Sequence, residues 1–157
     1  MATNQYNIRG VNLTLPVPIA DNGGVGPLSN EPLMFGNPSN PVGGGAANHM
    51  LACVAQNSYT PPTGVVNPDG ISVALEGVWY LTVSGVHAIS PANPVAINPG
   101  DPIFADDNGT YDSVTGCYYG FSLNADSING HYFGNSLDAV ASGAVNQTVR
   151  VRLKVAG

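Results

Sequence analysis

Hydrophobic and polar residues alternate with a period of two wherever the chain is readable as regular structure. The clearest run is "ISVALEGVWYLTV" (71–83), which puts Ile71, Val73, Leu75, Trp79, Leu81 and Val83 on one face and Glu76 on the other. That period, carried by Val, Ile, Trp and Tyr, predicts a single strong strand and rejects a helix. Gly77 stands in the apolar row without a side chain, so a bulge or space for the Trp79 indole is expected there. In "QTVRVRLKV" (147–155), Val149, Val151, Leu153 and Val155 face one way and Thr148, Arg150, Arg152 and Lys154 the other. "VNLTLPVPI" (11–19) alternates as cleanly, but Pro16 and Pro18 remove two N–H groups from the same strand edge. Such an edge cannot complete a ladder, which predicts an edge strand or an arm.

Shorter segments fill in the pattern. "HMLACVA" (49–55) is a continuous apolar run and reads as a buried strand. Leu33-Met34-Phe35, "HAIS", "PVAI", "CYYGFSL" and "HYFG" read as brief strands, and no helical period, heptad or repeat is present. Turn formers separate them: "DNGGVGPLSN", "NPSNPVGGGAAN" and "QNSYTPPTG", with Asn37–Asn48 as a long surface loop. The glycines of "NPVGGGAAN" lack the Lys and the strand–helix setting of a phosphate cradle, so they too read as loop. The pattern predicts an all-β protein: a single-domain β-sandwich or small β-barrel over residues 11–157, with long Gly/Pro-rich loops and an extended N-terminal arm, residues 1–10.

Composition narrows the functional classes. Hydrophobic residues make up 43% of the 157, enough for a core, while charged residues make up only 9%. Low charge with that apolar content argues against intrinsic disorder. The net charge is −6, and the only bases are Arg9, Arg150, Arg152 and Lys154, too few for a phosphate-neutralising face. Nucleic acid and anionic membrane surfaces are therefore not expected as partners. The N-terminus "MATNQYNIRG" has no basic-then-apolar signal pattern, and a soluble protein made in a cytoplasm is expected. Three of the four bases form a stripe on the last strand. It is either a solvated outer face or a contact stripe for an acidic partner or for Glu76 on a neighbouring strand. Cys53 and Cys117 sit in apolar surroundings and are expected to be buried free thiols.

Candidate chemistry concentrates in "NPGDPIFADDNGTYDSV" (98–114), where Asp101, Asp106, Asp107 and Asp112 account for four of the ten acids. The spacing misses the calcium loop, which needs a Gly at the sixth position and a Glu at the twelfth. Nothing nearby separates two carboxyl pKa values as acid–base catalysis requires. Asp-Asn-Gly between strand-like segments predicts instead a hairpin, with Asp and Asn bonded to nearby backbone. His49, His87 and His131 are far apart and carry no metal or nucleophile motif. The sequons at Asn12, Asn108 and Asn146 are expected by chance in so Asn- and Thr-rich a chain. No catalytic residue, cofactor or metal is expected.

Three segments taken in order, "GISVALEGVWYLTVSG", "INPGDPIFADDNGTYD" and "YFGNSLDAVASGAVNQTVRVRLK", resemble the capsid cement, or head decoration, proteins of tailed bacteriophages and prophages. Val73–Val78, Gly100–Phe104 and Gly134–Leu153 carry the match, which covers about the last 90 residues. The first 60 match only loosely, through "NIRGVNLTLPVP" and "LMFGN". The resemblance implies a β-sandwich or small barrel, without catalysis or cofactor. Its partner would be the major capsid protein, bound outside an expanded shell of the virion as a homotrimer at three-fold positions. Expected capsid or subunit contacts are Tyr6, Ile8 and Arg9 on the arm and Arg150 and Arg152 on the last strand. The competing expectation is an extracellular carbohydrate-binding or adhesin-type β-sandwich, with Tyr59, Trp79, Tyr118, Tyr119 and Tyr132 as sugar-stacking faces.

Overall fold

The structure is a computed structural model that describes residues 12–15, 29–36, 50–56, 71–87, 90–112, 116–128 and 130–153. The arm at residues 1–10, Pro16 and Pro18, and the loops at 37–48 and 57–70 lie outside the described residues. Every regular element described is a strand. Six of them form one sheet in the order β1 (Asn12–Leu15), β4 (Ile71–Ala74), β3 (Leu51–Ala55), β2 (Pro32–Phe35), β10 (Cys117–Tyr119) and β9 (Thr110–Asp112). Five more close into a barrel: β11 (Leu123–Asn124), β5 (Gly77–Val83), β13 (Gln147–Leu153), β12 (His131–Ser136) and β8 (Pro102–Ala105). β6 (Val86–His87) and β7 (Ser90–Pro94) make a separate two-stranded ladder. The expected all-β class holds, and the architecture is a small barrel joined to a sheet. β1 sits at the sheet edge, as its sequence predicts.

The barrel is built by alternation. Trp79, Leu81 and Val83 of β5 and Val149, Val151 and Leu153 of β13 are buried, while Tyr80, Thr82, Thr148 and Arg152 are exposed. These two strands pair antiparallel over seven residues, from Gln147↔Val83 to Leu153↔Gly77. Ile103, Ala105, Leu123 and Phe133 complete the interior, and Met34, Val54, Ala74 and Tyr118 from the sheet join the same apolar cluster. The sheet is buried on its other face as well, around Leu33, Cys53, Ala55, Val73, Leu75 and Cys117. Burial on both faces explains why β3 reads as a continuous apolar run rather than an alternating one. Cys53 and Cys117 are free and buried. They lie on β3 and β10, on opposite sides of β2, and neighbouring strands are about 4.8 Å apart. A disulfide needs Cα atoms within about 7 Å, so the sheet itself keeps these thiols apart.

Two expectations fail for one reason, which is that the chain crosses between sheet and barrel. Residues 71–83 are not one strand: β4 belongs to the sheet and β5 to the barrel, with a bend at Leu75 and Glu76. Gly77 is not a bulge, since it pairs with Leu153 in an unshifted register. It turns the corner at φ +116°, a conformation strained for any residue with a Cβ. Residues 98–114 are likewise no hairpin, because β8 pairs with β11 and β12 in the barrel and β9 pairs with β10 in the sheet. The third crossing, from β10 to β11, turns at Gly120 (φ +70°).

Candidate functional site

The four aspartates of 98–114 do not converge. Asp101 Oδ2 accepts hydrogen bonds from the Asn98 backbone N–H (2.7 Å) and side-chain amide (3.2 Å), closing the "NPGD" turn. Asp107 is exposed, and the Asp112 side chain lies outside the described residues. Asp106 is buried and accepts the Asp107 N–H at 2.8 Å.

Around Asp106 the second and third crossings are tied together. The Tyr118 hydroxyl donates to the Asp106 carbonyl (2.6 Å) and accepts the Gly109 N–H (2.8 Å). The Ser122 N–H donates to Asn108 Oδ1 (3.0 Å), and Asn108 Nδ2 donates to Ser122 Oγ (3.1 Å). Gly109 is needed here for close approach and not, as the Asn-Gly pair suggests, for positive φ: a Cβ would stand 2.7 Å from Tyr118 Cζ. The Tyr118 ring stacks on Phe121 with centroids 5.1 Å apart, and His131 meets its edge at 6.3 Å. Burial raises the pKa of Asp106 and of Tyr118 and lowers that of His131. Desolvation thus disfavours the charged form of all three. Nearby, Asp126 is fully buried and its Oδ1 accepts the Ile128 N–H at 2.9 Å. Sequence reasoning left this cluster out, since its members come from two strands and three connecting segments with no motif linking them. The Tyr118 hydroxyl and the Asn108 and Ser122 side chains are engaged in holding the crossings together. Among the described residues, no group of three or more His, Cys, Asp or Glu side chains is placed to hold a metal ion.

The surface that faces outward is the outside of the barrel. Across β12, β13 and β5 the register sets Asn135 beside Arg152 and Arg152 beside Val78. Tyr132, 46% exposed, donates its hydroxyl to Asn135 Oδ1 (2.6 Å) and packs its ring edge-on to Phe104 of β8 at 6.3 Å. Phe104, Tyr132, Asn135, Arg152 and Val78 therefore form one patch over four adjacent strands. The stripe of bases is divided. Arg150 is held by Asp138, with Nη2 to Oδ1 at 2.6 Å and Nε to both carboxylate oxygens at 3.1 Å. The Arg150 backbone N–H also donates to Asp138 Oδ2 (2.8 Å), and these bonds hold the Asp138 carboxyl down at about 2. Arg150 is thus paired within the chain by Asp138, whereas Arg152 is exposed with no acidic partner among the described residues. Tyr6, Ile8 and Arg9 lie outside the described residues.

The aromatic residues expected to stack on sugars are not displayed together. Trp79 and Tyr118 are each only 2% exposed and belong to the core. Tyr119 packs in the second apolar cluster, and Tyr59 lies outside the described residues. Of the four that are described, Tyr132 alone is an exposed surface residue. At the far end of the β5–β13 ladder from Arg152, beside Thr82 and Thr148, lies a half-open cleft of about 490 Å³. No family model, curated protein or solved structure matches the chain.

Proposed function

We propose that this is a structural virion protein, a decoration protein that binds the outside of an expanded phage capsid as a trimer and stabilises it. The observation that best supports this reading is the patch formed by Phe104, Tyr132, Asn135, Arg152 and Val78. Tyr and Arg are the residues most often found at the energetic centre of protein interfaces. Here they stand on a closed barrel, so little ordering cost is added on docking. Arg152 is the one described base left unpaired on a strongly acidic chain, suited to an acidic spot on the major capsid protein. A trimer would multiply weak contacts by avidity, and a ligand that binds only the expanded shell stabilises that state by mass action. On this reading Tyr6, Ile8 and Arg9 reach over a neighbouring subunit.

The test mixes purified protein with expanded, undecorated capsids of a tailed phage and measures bound copies per shell. Stoichiometric, saturable decoration at three-fold positions is expected. Arg152→Glu combined with Tyr132→Ala should weaken it at least tenfold, about 1.4 kcal/mol per site, with the melting temperature little changed. Absence of saturable binding, or density confined to other positions, overturns the reading.

A further inference from the structure

The cleft at the end of the β5–β13 ladder has a composition that its surroundings do not require. The buried residues Leu81, Phe121 and Leu123 contribute to its lining, and Asn30, Tyr80, Thr82, Ser84, Asn146 and Thr148 form its rim. No charged residue lines it among the described residues. Thr82 and Thr148 are direct cross-strand partners and both are exposed, which puts two hydroxyls side by side on the outer face. Tyr80 lies one step along the same face and is 39% exposed. The side chains of Tyr80, Thr82, Asn146 and Thr148 make no hydrogen bond among the described residues. The backbone holds the rim in place: Asn146 (φ +53°) donates its N–H to Ser84 Oγ at 3.0 Å, and Asn30 (φ +70°) donates its N–H to the Ala55 carbonyl at 2.8 Å. These two are the only non-glycine residues with positive φ among the described residues, and both border this cleft.

The geometry points to a binding site for a neutral saccharide, independent of the capsid-docking patch. An anionic ligand would need Arg or Lys, and a metal ion would need carboxylates, and the described residues of the lining supply neither. A wholly apolar ligand would strip water from four polar side chains and leave them unsatisfied, at about 1–3 kcal/mol each. A sugar ring meets both demands. Its hydroxyls donate and accept, as Thr, Tyr and Asn side chains do, while its C–H face can lie against the exposed Tyr80 ring. The volume falls within the usual range for small-molecule clefts, which leaves room for a short oligosaccharide.

Calorimetric titration of the whole protein with maltose, cellobiose, lactose, diacetylchitobiose and sialyllactose tests this. At least one neutral disaccharide should bind saturably with a Kd of about 1 mM or tighter, and sialyllactose no more tightly than lactose. Thr148→Val, which removes a hydroxyl at nearly constant volume, and Tyr80→Ala should each weaken that binding at least fivefold with the melting temperature unchanged. Thr148→Val lies outside the docking patch and should still decorate capsids, so failure of either proposal is seen separately. The inference is overturned if no neutral sugar saturates the native protein up to roughly fifty times that Kd. It is also overturned if both variants bind as the native protein does, or if the sialylated sugar is preferred tenfold.

Discussion

Removing one oxygen atom, by Tyr118→Phe, should cost more stability than any other change of that size in this protein. The Tyr118 hydroxyl is buried and bridges two backbone groups, the Asp106 carbonyl at 2.6 Å and the Gly109 N–H at 2.8 Å. Phenylalanine keeps the stack on Phe121 and the edge contact with His131, so the ring packing is preserved. What is lost is the partner of both backbone groups. A buried polar group left unsatisfied costs about 1–3 kcal/mol. Asp106 is buried and bears that cost in full, whereas Gly109 is half-buried and recovers part of it from water. The sum is about 2–4 kcal/mol. For a chain of this length each kcal/mol moves the melting temperature by about 2–4 °C, so the shift should be roughly 4–16 °C downward. Urea denaturation should show a lower midpoint with an unchanged slope, because the folded surface is the same. Tyr80→Phe is the control: its hydroxyl is exposed and unpartnered among the described residues, and the change should fall within about 0.5 kcal/mol. If Tyr118→Phe is as mild as Tyr80→Phe, the hydroxyl bridge does not hold the crossings and the reasoning fails.

Burial lowers the pKa of His131, so the unfolded chain takes up a proton near pH 6.5 before the folded chain does. Stability should therefore be full above about pH 6.5 and fall as the pH drops below it; His131→Phe should remove that fall without loss at neutral pH, and parallel pH profiles of melting temperature would contradict this. Asp138, held at about 2 by Arg150, contributes stability above its unfolded value of about 3.9 that is lost as the pH falls toward 2. Since the pair is partly exposed, Asp138→Asn should cost only about 0.5–1 kcal/mol at pH 7 and flatten the denaturation profile between about pH 4 and 2. Burial, helped by the nearby Cys117, pushes the Cys53 thiol up, so both cysteines should resist a thiol reagent in the native protein and react fully in denaturant; prompt native labelling would count against the sheet packing described.

The strands themselves were legible because alternation survives in the sequence. β5 and β13 are found where the apolar rows place them, and β3 where an unbroken apolar run signals burial on both faces. The layer to which a strand belongs was not legible. Val73 and Leu75 face the second apolar cluster and Trp79 faces the barrel interior, yet all three fall in one apolar row of the sequence. A period of two reports which side of a strand is dry, not which neighbour keeps it dry. The Asp-Asn-Gly turn was misread on the same account, because turn chemistry marks a reversal without naming the strand that the chain pairs with next. Arg150 and Arg152 look equivalent in the sequence, and only the approach of Asp138 from twelve residues upstream separates a paired base from a free one. The rim of the cleft was out of reach too, since Tyr80, Asn146 and Asn30 meet only after the barrel has closed.

The place of β13 between β5 and β12 sets an order of events during synthesis. Residues 77–83 leave the ribosome about seventy positions ahead of the partner they need, residues 147–153. Until that last strand emerges, β5 and β12 each present an unpaired edge, and the apolar row Trp79–Leu81–Val83 has no opposite wall. Contacts so distant along the chain are slow to form, and open edges are templates for pairing with other chains. Barrel closure is therefore expected to be a late step. A chain interrupted before residue 147 should therefore be an aggregation-prone species rather than a smaller version of this protein.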